Sequence, residues 1–224
     1  MVAKNGYAAD VWRCCGICRE MWRWIAPELS EEDAARVRRD HPFWQAIIDL
    51  PHGTRRRTRL MLAAARDKLV HVETLIAWHA DVNAAGQYGY TALMHASEQA
   101  SMSGRLEVVR ALLAAGAGVD AANALGQTAL LLACSCYCSN VEIARSLLAG
   151  GADVDVADIT GRTALMCASA NGLVEVVRVL LAAGANKHCT TTSGDTAYSL
   201  ARPGSWRCPS FFSAAIRALL DLVP

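Results

Sequence analysis

Nine cysteines, six histidines and a short run of aspartates are the side chains here whose types and spacing could do chemistry. Cys15-Gly16-Ile17-Cys18 has the spacing of a redox pair or of half a zinc site. A redox pair wants a strand ahead of it in a βαβ unit, and no strand pattern precedes it. A zinc site wants a second ligand pair, and only His41 and His52, eleven residues apart, lie nearby. These thiols, with Cys14, are expected to pack as small apolar residues, with S-acylation as the alternative. Cys134, Cys136 and Cys138 alternate in an expected helix, where the first and last share a face and the middle one points elsewhere. Three ligands at that spacing cannot converge. Asp153, Asp155 and Asp158 resemble calcium ligands, but the glycine and glutamate that such a loop needs at its sixth and twelfth positions are missing. No phosphate-binding glycine loop, HExxH, G-x-S-x-G or dinucleotide fingerprint occurs. The expectation is no metal, no cofactor, no small-molecule substrate and no enzyme.

The elements that carry these residues are set by a repeat. Thr58 in TRLMLAA, Thr91 in TALMHAS, Thr128 in TALLLAC, Thr163 in TALMCAS and Thr196 in TAYSLAR stand at spacings of 33, 37, 35 and 33 residues. Gly89, Gly126, Gly161 and Gly194 precede four of them by two positions. A second apolar stretch follows each of the first four, as in LEVVRALLAAGAGVD and LVEVVRVLLAAGANK, with Val176, Val177, Leu180 and Leu181 at helical spacing. Gly116, Gly151 and Gly184 then stand where a left-handed helix stop is needed. Each unit therefore reads turn, short helix, loop, longer helix, turn. Neither helix can bury its apolar face alone, and stacked units make one continuous core. His95 fills the slot held by Leu62, Leu132, Cys167 and Leu200 in other units, and is expected as a core residue.

The pattern G-x-T-A-L-x-x-A followed by L-L-x-x-G-A-x-V resembles the ankyrin repeat, whose period is about 33 residues. The resemblance covers residues 53–224 in about five units, 56–86, 87–123, 124–158, 159–190 and 191–224. It implies an all-α solenoid of stacked helix-turn-helix units with short hairpin fingers. The family's T-P-L-H opening lacks its proline and histidine here, which implies turns held less rigidly. Arg56 and His79 replace glycines in the first unit. Excess residues near Gln99–Ser103 and Cys136–Ser139 are expected to extend the first helix or its loop. After Ala201 the pattern gives way to ARPGSWRCPSFF and a last helix, as in a capping repeat.

With 22 basic and 21 acidic residues and a net charge of +1, the chain has no electrostatic footprint for nucleic acid. Hydrophobic residues at 53% and charged residues at 19% exclude a disordered chain. Mean hydropathy is +0.20, yet the longest uncharged stretch, Ala121–Val141, holds Asn123, Gln127 and Asn140, too polar for a lipid-facing helix. An odd cysteine count without a signal peptide reads as free thiols in the cytoplasm, or the nucleus, and membrane association is not expected. Residues 1–52 differ in composition, with four of the six tryptophans, and are read as an N-terminal helical cap over the first repeat. Helices are expected over 8–25, from Ser30 to before Pro42, and over 43–50. CGICREMWRWIAP resembles the second half of an F-box without its leucine-proline opening, which implies a ubiquitin-ligase substrate adaptor as the alternative function.

A repeat array offers a concave face built from turn tips and first helices. The family's variable positions fall on Gln87, Tyr88, Tyr90, Leu125, Gln127, Ile159, Thr160 and Arg162 at the tips, and on Glu98, Gln99 and Asn171 at the first helices. These are the expected partner-binding residues of a monomeric protein-interaction module.

Overall fold

The computed structural model describes residues 57–98, 105–136, 141–201 and 210–222. Five threonines begin the units. Thr58, Thr91, Thr128, Thr163 and Thr196 hold extended backbone, and each hydroxyl oxygen accepts from the backbone N–H three residues on. This satisfies one of the donors that a helix start leaves without a partner.

The helices that follow are α1 (Arg59–Ala65), α2 (Leu69–Ala77), α3 (Ala92–Ser97), α4 (Arg105–Ala114) and α5 (Ala129–Ser135). Then come α6 (Val141–Ala149), α7 (Ala164–Ala170), α8 (Val174–Ala182), α9 (Ala197–Leu200) and α10 (Ser210–Leu222). No strand occurs among the described residues. Odd-numbered helices pack in one layer, α1 on α3, α3 on α5, α5 on α7 and α7 on α9. Even-numbered helices form a second layer in the same order, from α2 to α10. The fold is the all-α ankyrin-type solenoid expected from the repeat.

The layers differ in how much of each helix is buried. Every residue of α3 and all of Ala164–Ser169 in α7 are buried, because these short helices have neighbours on three sides. The longer helices bury one stripe: Val108, Val109 and Leu112 in α4, Ile143, Ala144 and Leu147 in α6, Val176, Val177 and Leu180 in α8. Their opposite faces carry exposed pairs, Glu107–Arg110 at 3.1 Å, Glu142–Arg145 at 3.4 Å and Glu175–Arg178 at 3.5 Å. Exposed pairs of this kind contribute little to stability and keep the outer face solvated.

Two polar seams join successive units. At the tips, Ala124 N–H donates to Tyr88 O (2.7 Å), Ile159 N–H to Leu125 O (3.0 Å) and Thr192 N–H to Thr160 O (2.9 Å). The approach is close enough that a Cβ on Gly126, whose φ is +73°, would lie 3.2 Å from Asp158 Cα. At the far end of the second helices, Asn83, Asp120 and Asp155 each accept a backbone N–H of the following unit, from Gly118, Asp153 and Asn186. Asp153 and Asp155 thus belong to the inter-repeat turn, as expected.

One expectation is corrected. Cys136 does not lie in a helix with Cys134, because α5 ends at Ser135 and Cys136 is extended (φ −92°, ψ 139°). The excess in the third unit, expected in the first helix or its loop, falls between α5 and α6, since α5 and α7 both have seven residues. The turns, moreover, have their own clasps. Asn123 Oδ1 accepts from the N–H groups of Leu125 and Gln127, Asp158 Oδ1 from Thr160 and Arg162, and Thr191 Oγ1 from Ser193 and Asp195. Among the described turns the second unit's lacks such a side chain, having Gly86 there, and its Tyr88 sits at φ +62°.

The last described helix, α10, packs on α8 and α9. Lys187 Nζ donates to Leu220 O at 3.0 Å, the Arg217 guanidinium lies 5.0 Å from the centre of the Tyr198 ring, and the Ser213 hydroxyl donates to Ala201 O. The expected helices of residues 1–52 lie outside the described residues, as do Gln99, Cys14, Cys15, Cys18 and Cys138.

Candidate functional site

The first helices end in carbonyls that no longer have helical partners. At the first three junctions one side chain bonds to them. Asn171 Nδ2 donates to Cys134 O at 3.0 Å, and the Cys136 thiol donates to Glu98 O. At the first junction the donor is Arg105, whose Nη1 meets His95 O at 3.1 Å and whose Nη2 meets Ala65 O at 2.9 Å. Three chemically different groups therefore do the same bridging, and one of them carries a full charge.

A cleft of about 360 Å³ is lined by Arg57, Gln87, Tyr88, Tyr90, His95 and Glu98. It adjoins one of about 280 Å³, which shares Arg57, His95 and Glu98 and adds Arg66 and Arg105. Tyr90 lies over the buried His95 ring, centroids 5.2 Å apart and planes inclined by 26°. His95 Nδ1 is 3.9 Å from Glu98 Oε2. Burial, and then the Glu98 charge, push the Tyr90 phenol above its ordinary value; a hydrogen bond with Asn123 and the Arg57 charge act against them. Tyr90 therefore stays neutral throughout the physiological range.

The expected binding residues separate into groups. Gln87, Tyr88, Tyr90 and Glu98 come together around this cleft. Tyr88 is 67% exposed, Leu125 49% and Ile159 65%, three apolar side chains on successive tips. Thr160 is exposed, its hydroxyl donating to Asp158 Oδ1 at 2.6 Å. Gln127 and Arg162 are half-buried, and Gln127 Oε1 accepts from Asn123 Nδ2 at 3.0 Å. Asn171 is a correction. It is only 9% exposed and bonded across the junction, so it is not an exposed position free of packing duty.

Arg57, His95 and Arg105 were not among the expected site residues. His95 does fill an apolar slot, but it also lines both cavities. Arg105 stands seven residues before the buried Leu112, where other units have Lys68, Asn140 and Leu173 before Leu75, Leu147 and Leu180. Mixed chemistry at one register position gives no periodic signal.

The buried thiols are poor nucleophiles. Burial raises both Cys134 and Cys167 above the ordinary thiol value, and burial followed by the Asp155 charge raises Cys189. Among the described residues, no helix is long and apolar enough to cross a membrane.

A family model described as ankyrin repeats (3 copies) matches residues 33–123 and 98–191, together more than half of the chain. No match is found among curated proteins.

Proposed function

The chain belongs to the ankyrin-repeat family, a family of protein-interaction modules, and on that premise we propose that it docks a protein partner on its concave face without catalysing a reaction. The observation that carries the reading is the apolar tip row, Tyr88, Leu125 and Ile159. Their exposure contrasts with the charge-paired outer helices, and side chains of this kind are common interface anchors. Tip side chains bury little area within their own chain, so they add little to folding. Replacing Tyr88, Leu125 and Ile159 together by alanine is expected to weaken partner capture at least about tenfold, roughly 1.4 kcal/mol, with the melting temperature nearly unchanged. Undiminished capture would move the site away from the tips. A large fall in melting temperature would mean that these side chains hold the repeats together.

A further inference from the structure

Arg105 is 4% exposed and permanently charged, and its Nε has no hydrogen-bond partner. Its two hydrogen bonds go to carbonyls, and no carboxylate among the described residues pairs with it. Bridging of this kind does not require charge, since an amide and a thiol do it at the next two junctions. Burying a charge is unfavourable unless a counter-charge meets it. Among the described residues that line the adjoining cavities, Arg57 and Arg105 bring positive charge and the carboxylate is Glu98, which already faces His95. Tyr88 stands exposed at the rim.

We propose that the cleft between the first and second repeats receives an acidic segment of the protein partner, its carboxylates meeting Arg57 and Arg105 and a neighbouring apolar side chain lying on Tyr88. The proposal rests on the concave-face reading above and adds to it the chemistry of the ligand. Charge-assisted bonds from guanidinium to carboxylate are short and directional, and closing the cleft over them lowers the local dielectric that would otherwise weaken them.

The test is selection of a random 12-residue peptide library on the full chain, followed by binding measurements with the selected peptides. The peptides should carry Asp or Glu next to an apolar residue, and counterparts with Asn and Gln in their place should bind at least tenfold more weakly. Arg57→Gln and Arg105→Gln should each weaken binding fivefold or more, and Arg105→Lys should retain most of it. Circular dichroism shows whether Arg105→Gln has folded; Arg57→Gln, at a half-buried position, carries the test if it has not. Recovery of no peptide, recovery of peptides without acidic residues, or equal binding of the amide counterparts would overturn the proposal. Tighter binding of polyuridylate or of phosphatidylserine vesicles would also overturn it, by showing a general polyanion site. Non-acidic peptides that are lost with the triple tip variant would leave the tip reading standing alone. Acidic peptides that need Arg57 and Tyr88 but ignore Leu125→Ala combined with Ile159→Ala would leave this proposal standing alone.

Discussion

His79 sits at φ 59°, in the place where Gly116, Gly151 and Gly184 end the later helices at 82°, 89° and 90°. A side chain there strains the backbone by about 1–2 kcal/mol, against roughly 0.4–1 kcal/mol that glycine loses through the freedom of the unfolded chain. His79→Gly should therefore leave stability unchanged or raise it by up to about 1 kcal/mol, read by urea unfolding. A clear loss would show that the imidazole's own contacts outweigh the strain. The buried thiols make a second prediction. Burial raises Cys134 and Cys167, so the folded chain holds these protons more tightly than the unfolded chain does. Their contribution is fully present below the unfolded thiol value of about 8.5 and is lost as pH climbs above it, by up to about 1.4 kcal/mol per pH unit for each thiol. Melting temperatures between pH 7 and 10 should fall less steeply in Cys134→Ala than in the parent, and equal slopes would refute this. At this scale the sequence was only partly legible. The glycine slot identified His79 from alignment alone, whereas Asn171 looked exposed because its partner, Cys134 O, belongs to another unit.

Short first helices of six or seven residues would not hold in water by themselves. They persist because a threonine caps each start and neighbouring units cover their sides. Leu147 in α6 and Leu180 in α8 are fully buried between layers, so truncating either to alanine should cost about 2–5 kcal/mol in chemical unfolding. Losses below about 1 kcal/mol at both sites would mean that the stripe does not form the core. Element positions were readable because threonine, glycine and valine-leucine spacing all repeat, so each unit checks the others. The end of α5 was not readable, since Ala-Cys-Ser-Cys-Tyr-Cys carries no breaker and loop and helix differ there only in tertiary setting.

A solenoid's stability is approximately the sum of its units and of the interfaces between neighbours, so its ends matter out of proportion to their size. At the C-terminal side α10 packs on α8 and α9. At the other end Arg59 is buried in a slot that Ala92, Ala129, Ala164 and Ala197 fill in later units. The family match begins at residue 33, within the segment whose composition suggested a separate cap. If residues 1–52 cover the first repeat, their deletion should lower the melting temperature. An unchanged value would assign that segment to another task. The gathering of Arg57, His95 and Arg105 at one cavity lay beyond the sequence, because they are brought together only by stacking. The tip seam has a consequence for how such a chain can change its length. Because Tyr88 O, Leu125 O and Thr160 O each receive the same bond from the next tip, one period can be cut out without leaving a mismatched junction. Excising residues 124–158 would join Asn123 to Ile159 and present the Ile159 amide to Tyr88 O, where Ala124 had been. Unequal recombination in register would thus yield a shorter array that still folds, with the tyrosine and isoleucine tips now side by side.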